Sequence, residues 1–517
     1  MFDPGDAALG YADEALALAT APGIKKSLVA DVHTLHARVL LSHGNVRGGY
    51  AELKKALAEQ GGLTLQVNAA AIATRSDLAT AALLNHDDES ARRYLAYTGA
   101  GHGTPFGSAA VMAPPPCDDT LKPEDSAIVE FGIGADGAVA YATPVYASRL
   151  GPSAVEFARA VDGWSWTPAA VARIAPLFRA VTRVEVRCST ASARPRVINT
   201  LYGELDGWLK SRGSGSFTRS ASGAMQARVR VADGPAITVA GDRSLTSDLA
   251  GLRAAMVRAR ASHDEAAAIP LLVILGEDAA VPAAERRAAI DEARAIAVRT
   301  ASPTGVTTLL AIIASQLTPD GRGQAATWRG GLRTLLATPA VAADPRSRSV
   351  VRLLLADAYY HAPSPPDADA LLRAVADDPA LPAQDQLRSG ANVRLASLLA
   401  RSGDLSAARA AFDRSGISAQ QCSLVDAQPI ATRLGGSSTD FPRDALRWGF
   451  EGWVRLEFDV AADGHLVGQR AIVTYPPAVF APAAIDTSKN WRYRPTFRPE
   501  GGTGCGGAQQ TMRFTIN

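Results

Sequence analysis

Cysteine is scarce: Cys117, Cys188, Cys422 and Cys505 are the four in 517 residues. None sits in a Cys-x-x-Cys spacing and none neighbours a histidine, which excludes thioredoxin-like chemistry and the common zinc sites. They fall as two distant pairs. Two disulfides in an oxidising compartment are the simplest reading, and four buried thiols in a reducing one are the alternative. Aromatics make up 6% of the chain against 47% apolar residues, so alanine, leucine and valine supply most of the core, as in stacked small-residue helices. Neither sign of charge is in surplus, since 53 Lys and Arg against 51 Asp and Glu leave +2. A general nucleic-acid binder needs a basic excess to displace phosphate counterions, and that class is excluded. No apolar run reaches the roughly 18 to 20 residues that span a bilayer. Ile269–Leu275 and Gly305–Leu317 are too short or too interrupted. The N-terminus lacks the basic-then-apolar order of a signal peptide.

What is present is helical over residues 5–100 and over most of 244–418. In Ala37–Leu57 the residues Val39, Leu40, Val46, Tyr50, Leu53 and Leu57 recur at helical spacing around a His43-Gly44-Asn45 turn. A near copy lies at Leu395–Phe412, around Ser402-Gly403-Asp404. Both resemble the helix-turn-helix unit of tetratricopeptide-type repeats. Val351–Val375 looks like a degenerate unit with a turn lengthened by Pro363–Pro366. Gly5-Asp6 before Ala7, Ala8, Tyr11 and Leu16 resembles the turn and second helix of such a unit. The chain is therefore expected to begin mid-hairpin, with a first helix, and a signal peptide or anchor before it, upstream of Met1. Residues 194–243 mix a helix (Leu201–Lys210), a Gly/Ser loop and an alternating strand near Ala227–Val231.

Two segments repeat one another. The later runs from a short helix at Phe441-Pro442-Arg443-Asp444-Ala445-Leu446 into the alternating strand Gly452–Val460. An Asp463-Gly464 hairpin turn, a second strand (His465–Thr474), a helix near Ala481–Lys489, Trp491-Arg-Tyr493-Arg-Pro495 and a last strand follow. At an offset of 327, Glu130, Phe131, Asp136, Gly137, Trp164 and Pro168 match Glu457, Phe458, Asp463, Gly464, Trp491 and Pro495. Trp, Asp-Gly and Pro in one fixed register are a poor accident.

The later motif set, Phe441, Pro442, Ala445, Gly452, Asp463, Gly464, Trp491, Tyr493 and Pro495, resembles the C-terminal domain of the TonB family of periplasmic energy transducers over 440–517. A weaker second copy covers 117–190, without the Phe-Pro-x-x-Ala helix. The resemblance implies three-stranded antiparallel sheets backed by helices, in a Gram-negative periplasm. Cys117 with Cys188 and Cys422 with Cys505 would each tie the start of a module to its last strand. The expected architecture is multidomain α and α+β: helical repeats at 1–105, a first module at 112–193, a mixed connector at 194–243, helical repeats at 244–418, and the TonB C-terminal domain at 421–517.

Sites of chemistry are few. Gly132-Ile-Gly134-Ala-Asp-Gly137 is formally a dinucleotide fingerprint, but strand rather than helix follows it, which removes the phosphate-binding helix N-terminus. His33 and His36, with His43 nearby, stand on a helix face with no carboxylate at matching spacing, which suits polar residues on a solvated face, so no metal and no cofactor are expected. No hydrolase motif occurs. Arg443, Arg447, Arg492, Arg494 and Arg498 suit a solvated basic face, and Trp491 suits core.

The expectation is a non-enzymatic periplasmic protein that binds an extended peptide at the edge of its last strand, Gln509, Gln510, Thr511, Met512, Arg513, Phe514, Thr515 and Ile516. By resemblance the partner is an outer-membrane TonB-dependent receptor or another envelope protein. No transmembrane helix or Pro-rich spacer accompanies the domain. The other reading is an envelope scaffold whose helices bind the partner while the modules are structural or form a homodimer.

Overall fold

The computed structural model describes residues 1–517 except 3–4, 67, 102–109, 167, 192–195, 220–224, 231–236, 242–248, 262–263, 279–280, 318–323, 358–364, 419–428, 500–505 and 517. Five helices open the chain: α1 (Ala7–Ala19), α2 (Lys26–Ser42), α3 (Val46–Glu59), α4 (Ala69–Leu84) and α5 (Asp88–Ala96). Between α2 and α3 Gly44 takes φ 82°, Asn45 N donates to Leu40 O at 2.8 Å, and the Asn45 side chain accepts from Gly48 N. That left-handed residue followed by a capping Asn or Asp ends one helix and starts the next within three residues. The same turn recurs at Gly403 (φ 90°) and Asp404, which caps Ala407 N. A third, at His86 (φ 61°) and Asp87, carries no glycine and is invisible to a glycine-based reading.

The next elements are β1 (Ala110–Val111), β2 (Ser126–Ile133), β3 (Val139–Ala147), α6 (Ser153–Asp162), β4 (Ser165–Trp166), α7 (Pro168–Val171), α8 (Pro176–Ala180) and β5 (Thr182–Arg187). Then come α9 (Asn199–Arg212), β6 (Gly215–Arg219), β7 (Met225–Val229), β8 (Ile237–Gly241) and the helices α10 (Leu249–Ala261), α11 (Ile269–Glu277), α12 (Ala283–Arg299), α13 (Thr304–Gln316), α14 (Gln324–Ala337), α15 (Pro339–Ala343), α16 (Pro345–Ala356), α17 (Ala368–Ala376), α18 (Gln386–Arg401) and α19 (Leu405–Arg414). The chain closes with β9 (Ala431–Arg433), α20 (Arg443–Trp448), β10 (Gly452–Val460), β11 (Leu466–Tyr475), α21 (Ala481–Ser488), β12 (Arg492–Tyr493) and β13 (Ala508–Phe514). No helix among the described residues is long and apolar enough to cross a membrane. The run Ile269–Leu275 is instead a fully buried core helix.

Three hydrophobic cores form. The first joins α9 and the antiparallel sheet β6-β7-β8 to the helices that follow, from Val197 to Phe412. The stretch expected as a connector thus contributes Leu201, Leu205, Leu209, Phe217 and Val229 to that core. The second packs the N-terminal helices against the C-terminal strands and helices, bringing Leu53 and Leu78 to Phe450 and Phe480. The third fills the space around β2, β3 and β5, and also takes in Trp453, Val473 and Tyr475.

The two expected three-stranded sheets are not separate. They merge into one six-stranded sheet of order β13-β10-β11-β5-β2-β3. The junction is antiparallel, with Val473 opposite Val186 and Thr474 opposite Glu185. An unpaired strand edge in an apolar interface would leave backbone groups unsatisfied, and pairing β5 with β11 removes that cost.

The two hairpins share their register at the offset of 327. Ala127↔Ala147, Ile128↔Tyr146 and Val129↔Pro144 correspond to Val454↔Thr474, Arg455↔Val473 and Leu456↔Ala471, with a β-bulge after Ile128 in one and after Arg455 in the other. The turn glycines also correspond. Gly137 (φ 91°) accepts from Trp166 N at 2.8 Å, and Gly464 (φ 88°) accepts from Tyr493 N at 2.9 Å. A Cβ on either glycine would meet the carbonyl oxygen of that same aromatic residue, at 1.9 and 2.1 Å. Phe131 meets Trp164 edge-on at 5.9 Å and Phe458 meets Trp491 edge-on at 6.1 Å, each at 79°.

Candidate functional site

β13 pairs antiparallel with β10, from Gly452↔Phe514 to Phe458↔Ala508, and among the described residues no strand pairs with its other side. Six of the eight expected edge positions, Gln509–Phe514, lie in β13. Gln509 and Arg513 are exposed, Gln510, Thr511 and Met512 are half-buried, Phe514 is buried, and Thr515 and Ile516 continue beyond the ladder. Ile516 N donates to the Glu451 carboxylate at 2.7 Å, which fastens the end of the strand. Phe514 stacks on Phe480 at 4.5 Å, and Phe441 meets both rings edge-on, so an aromatic trio holds β13 against the helices.

The remaining motif residues support this strand rather than line a pocket. Pro442 precedes α20 and Ala445 is buried beneath it. Gly452 lies where a Cβ would stand 2.2 Å from Tyr475 O and 2.7 Å from the Phe480 ring. Asp463 accepts from His465 N at 3.0 Å, and this bond holds its carboxyl below the usual range. Trp491 and Tyr493 are buried against Phe458, and Pro495 O accepts from Arg401 at 3.4 Å.

A carboxylate anchors each hairpin, buried in the second and partly buried in the first, with different partners. Glu457, 2% exposed, accepts from Ser189 Oγ, from Thr190 N at 2.9 Å and Oγ1 at 2.8 Å, and from Gln509 Nε2 at 3.1 Å. Arg470 reaches the same carboxylate at 3.4 Å and donates to Cys188 O at 2.8 Å. Its counterpart Glu130 accepts from Arg183 at 2.6 Å, and Arg183 also binds Asp77 of α4 at 2.6 Å. These flanking carboxylates hold the fully buried Arg183 guanidinium charged, raising its pKa further. The equivalence of Glu130 and Glu457 is visible in the sequence. Their partners Ser189, Thr190, Arg470 and Asp77 carry no sequence signal, because tertiary packing alone brings them near.

Cys117 and Cys188 form a disulfide, which ties the approach to β2 to the end of β5. Cys422 and Cys505 lie outside the described residues. His33 and His36 are buried rather than on a solvated face. Folding α3 over α2 brings Glu52 to 2.6 Å from His33 Nδ1, and Asp13 of α1 to 3.0 Å from His36 Nε2, partners too distant in sequence for a spacing argument. Among the described residues no group of three or more His, Cys, Asp or Glu side chains could hold a metal ion. Gly132–Gly137 spans the end of β2 and its turn, with β3 directly after it. Of the five arginines expected on a basic face, Arg443 and Arg447 are exposed, but Arg498 is buried with its guanidinium over the Phe412 ring at 5.4 Å. The middle helices cover it there.

A cleft of about 470 Å³ lies where α4 and α5 meet α20 and α21, walled by Ile72, Leu95, Phe178, Phe450 and Val479. Among its charged groups, Arg183 is paired as above, Arg92 pairs with Asp444 at 3.1 Å, and Arg443 is exposed. It offers an apolar surface without a free buried charge.

No curated protein and no solved structure gives a match to the chain. The family model described as Gram-negative bacterial TonB protein C-terminal matches residues 437–516, so the segment that builds α20, β10, β11, α21, β12 and β13 is a TonB C-terminal domain.

Proposed function

We propose that this is a non-enzymatic protein of the cell envelope, linked to TonB-dependent outer-membrane transport, whose C-terminal domain captures an extended peptide by strand addition to β13. The observation that carries the reading is an edge strand that no other strand pairs among the described residues, at the end of a segment matched by the TonB C-terminal family. In strand addition the main chain supplies affinity and alternate side chains supply register. The edge is short, polar at Gln509–Thr511 and charged at Arg513, which limits unwanted edge-to-edge pairing while leaving backbone groups available. The periplasm is the compartment we assign, and the Cys117–Cys188 disulfide suits it. We take the β2–β5 segment to be a second module of the same type, on the strength of the shared register, bulge and turn contacts. We take the helical hairpins to be degenerate repeats that carry the modules.

The test is binding of a peptide from the N-terminal extended segment of an outer-membrane TonB-dependent receptor to the full chain. Proline is placed at Gln510 and at Thr511 in turn. Adjacent residues of a strand aim their N–H groups to opposite sides, so one variant strikes the free edge and the other the β10 ladder. Loss of binding in the variant that still melts like wild type supports the reading, and equal binding by both variants refutes it.

A scaffold role, with partners held by the helices, is the second reading. The apolar cleft between α4, α5, α20 and α21 favours it. Deleting 421–517 is a poor discriminator, because the N-terminal helices share a core with that segment. Ala79→Trp, which fills the cleft, separates the readings: the scaffold predicts lost partner capture, and strand addition predicts none.

A further inference from the structure

The cleft between the N-terminal helices and the C-terminal domain has a length, a width and two unlike ends. On α4 its lining residues Ile72, Ser76, Ala79 and Leu83 follow one helix face. Ile72 and Leu83 are about three turns apart, or about 16 Å along the axis. A volume of about 470 Å³ over that length gives a mean cross-section of about 30 Å². A helix, about 10–12 Å across, needs roughly three times as much, whereas a single extended hydrocarbon chain fits. The space exists because small residues face each other, Ala79 and Ala91 on the N-terminal side and Ala445 and Ala483 on the C-terminal side. A larger side chain at any of them would close it.

The turn at His86 sends α5 back along α4, so Leu83 and Asp88 mark one end of the cleft, and Ile72 and Leu95 lie toward the other. At the first end Asp88, Arg443 and Asp444 are exposed. Arg92 takes up both acids, Asp88 at 3.7 Å and Asp444 at 3.1 Å. Arg443 makes no ion pair among the described residues, and neither does Arg447 one turn further along α20. The other end is closed by Phe178, whose ring lies 3.1 Å from where a Cβ on Gly99 would stand. Its polar groups are already used: Thr98 Oγ1 donates to Leu95 O at 2.6 Å, and Thr182 Oγ1 to Phe178 O at 2.8 Å. We propose that the cleft binds a fatty carboxylate, with its hydrocarbon chain along α4 toward Phe178 and its head group at Arg443. Burial of the chain drives binding, and the exposed guanidinium orients it. The inference goes beyond strand addition and does not depend on it.

The test titrates laurate into the full chain by calorimetry, beside dodecanol and dodecyltrimethylammonium. One saturable laurate site per chain is expected, weakened at least tenfold in whichever of Ala79→Trp and Ala483→Phe keeps the wild-type melting profile, since these plug the cleft from opposite walls. Arg443→Ala should weaken laurate by up to about fivefold, the share of an exposed ion pair, and leave dodecanol unchanged. Laurate carrying a diazirine at its methyl end should label residues 95–98 or 178–182 of the wild-type chain, a readout that needs no plugged variant. Absence of saturable binding, a label elsewhere, or undiminished binding in a folded plugged variant would overturn the site. Dodecyltrimethylammonium bound as tightly as laurate would overturn the head-group assignment. Peptide capture at β13 stands or falls separately, because none of these outcomes involves that strand.

Discussion

The β2–β5 and β10–β13 segments have the same hairpin register, the same bulge and the same turn contacts, yet their last strands meet different fates. β5 is buried in the middle of the sheet under β11, and β13 ends it. Their inward glutamates differ likewise: Glu130 clamps Arg183 and through it α4, whereas Glu457 clamps Ser189 and Thr190 of the preceding segment. In both cases the carboxylate fastens its hairpin to a part of the chain that precedes it. Similar local sequence fixes a strand's partners within the hairpin. Long-range packing decides whether its outer edge is paired within the sheet or ends it.

The largest effect that would test this contrast comes from the buried ion pairs. Arg183→Leu leaves Asp77 and Glu130 with Arg38 alone, at 2.8 and 3.8 Å, and should cost about 3–5 kcal/mol in urea unfolding. Glu457→Ala leaves Thr190 without its acceptor and Arg470 held by backbone carbonyls, and should cost less, about 1–3 kcal/mol. Equal costs would mean that the two anchors do the same work. Next, replacing Cys117 and Cys188 by serine opens a loop with a sequence separation of 71 and should cost about 4 kcal/mol on the loop-closure account, with thermal unfolding as the readout. Gly137→Ala and Gly464→Ala force a Cβ against a carbonyl oxygen at a positive φ, and each should lose at least about 1 kcal/mol. Unequal losses would break the correspondence of the two turns.

The smallest effect is a pH dependence peculiar to the first segment. Asp125, hydrogen-bonded by Arg149, is held below the ordinary carboxylate range. A folded-state pKa below the unfolded one contributes stability that is present above about pH 4 and is lost as pH falls through the folded value. Arg149 is nearly half exposed, so solvent screening keeps the contribution under about 1 kcal/mol. Arg149→Ala should flatten that part of the acid unfolding profile. The corresponding positions in the second hairpin are Gly452 and Pro476, which cannot make the pair, and acid should not reach the β10–β11 pairing by this route.

Much of the sheet was legible because its determinants are local. Alternation marks β2 and β10, Asp-Gly marks both turns, and Trp164 and Trp491 mark the residues that close each small core. The turn at His86 was missed because a histidine occupies the left-handed position that glycine usually announces. Residues 194–243 read as a connector because β6, β7 and β8 are five residues each and gain their burial from α9 and α11, which no short window contains. The histidines read as solvated for the same reason: Glu52 and Asp13 approach them only once α1, α2 and α3 are packed.

By itself the sequence determined the helical hairpin at Gly44, the two β-hairpins and their common register, and the TonB-type motif, since each depends on residues a few positions apart whose backbone preferences and side-chain alternation act locally. Only the tertiary structure decided that the two hairpins share one sheet, that Glu457 and Arg183 become buried anchors, and that among the described residues β13 rather than β5 ends that sheet. Those outcomes depend on which surfaces meet after the chain has turned many times, and the hydrogen bonds and buried area that settle them join residues hundreds of positions apart.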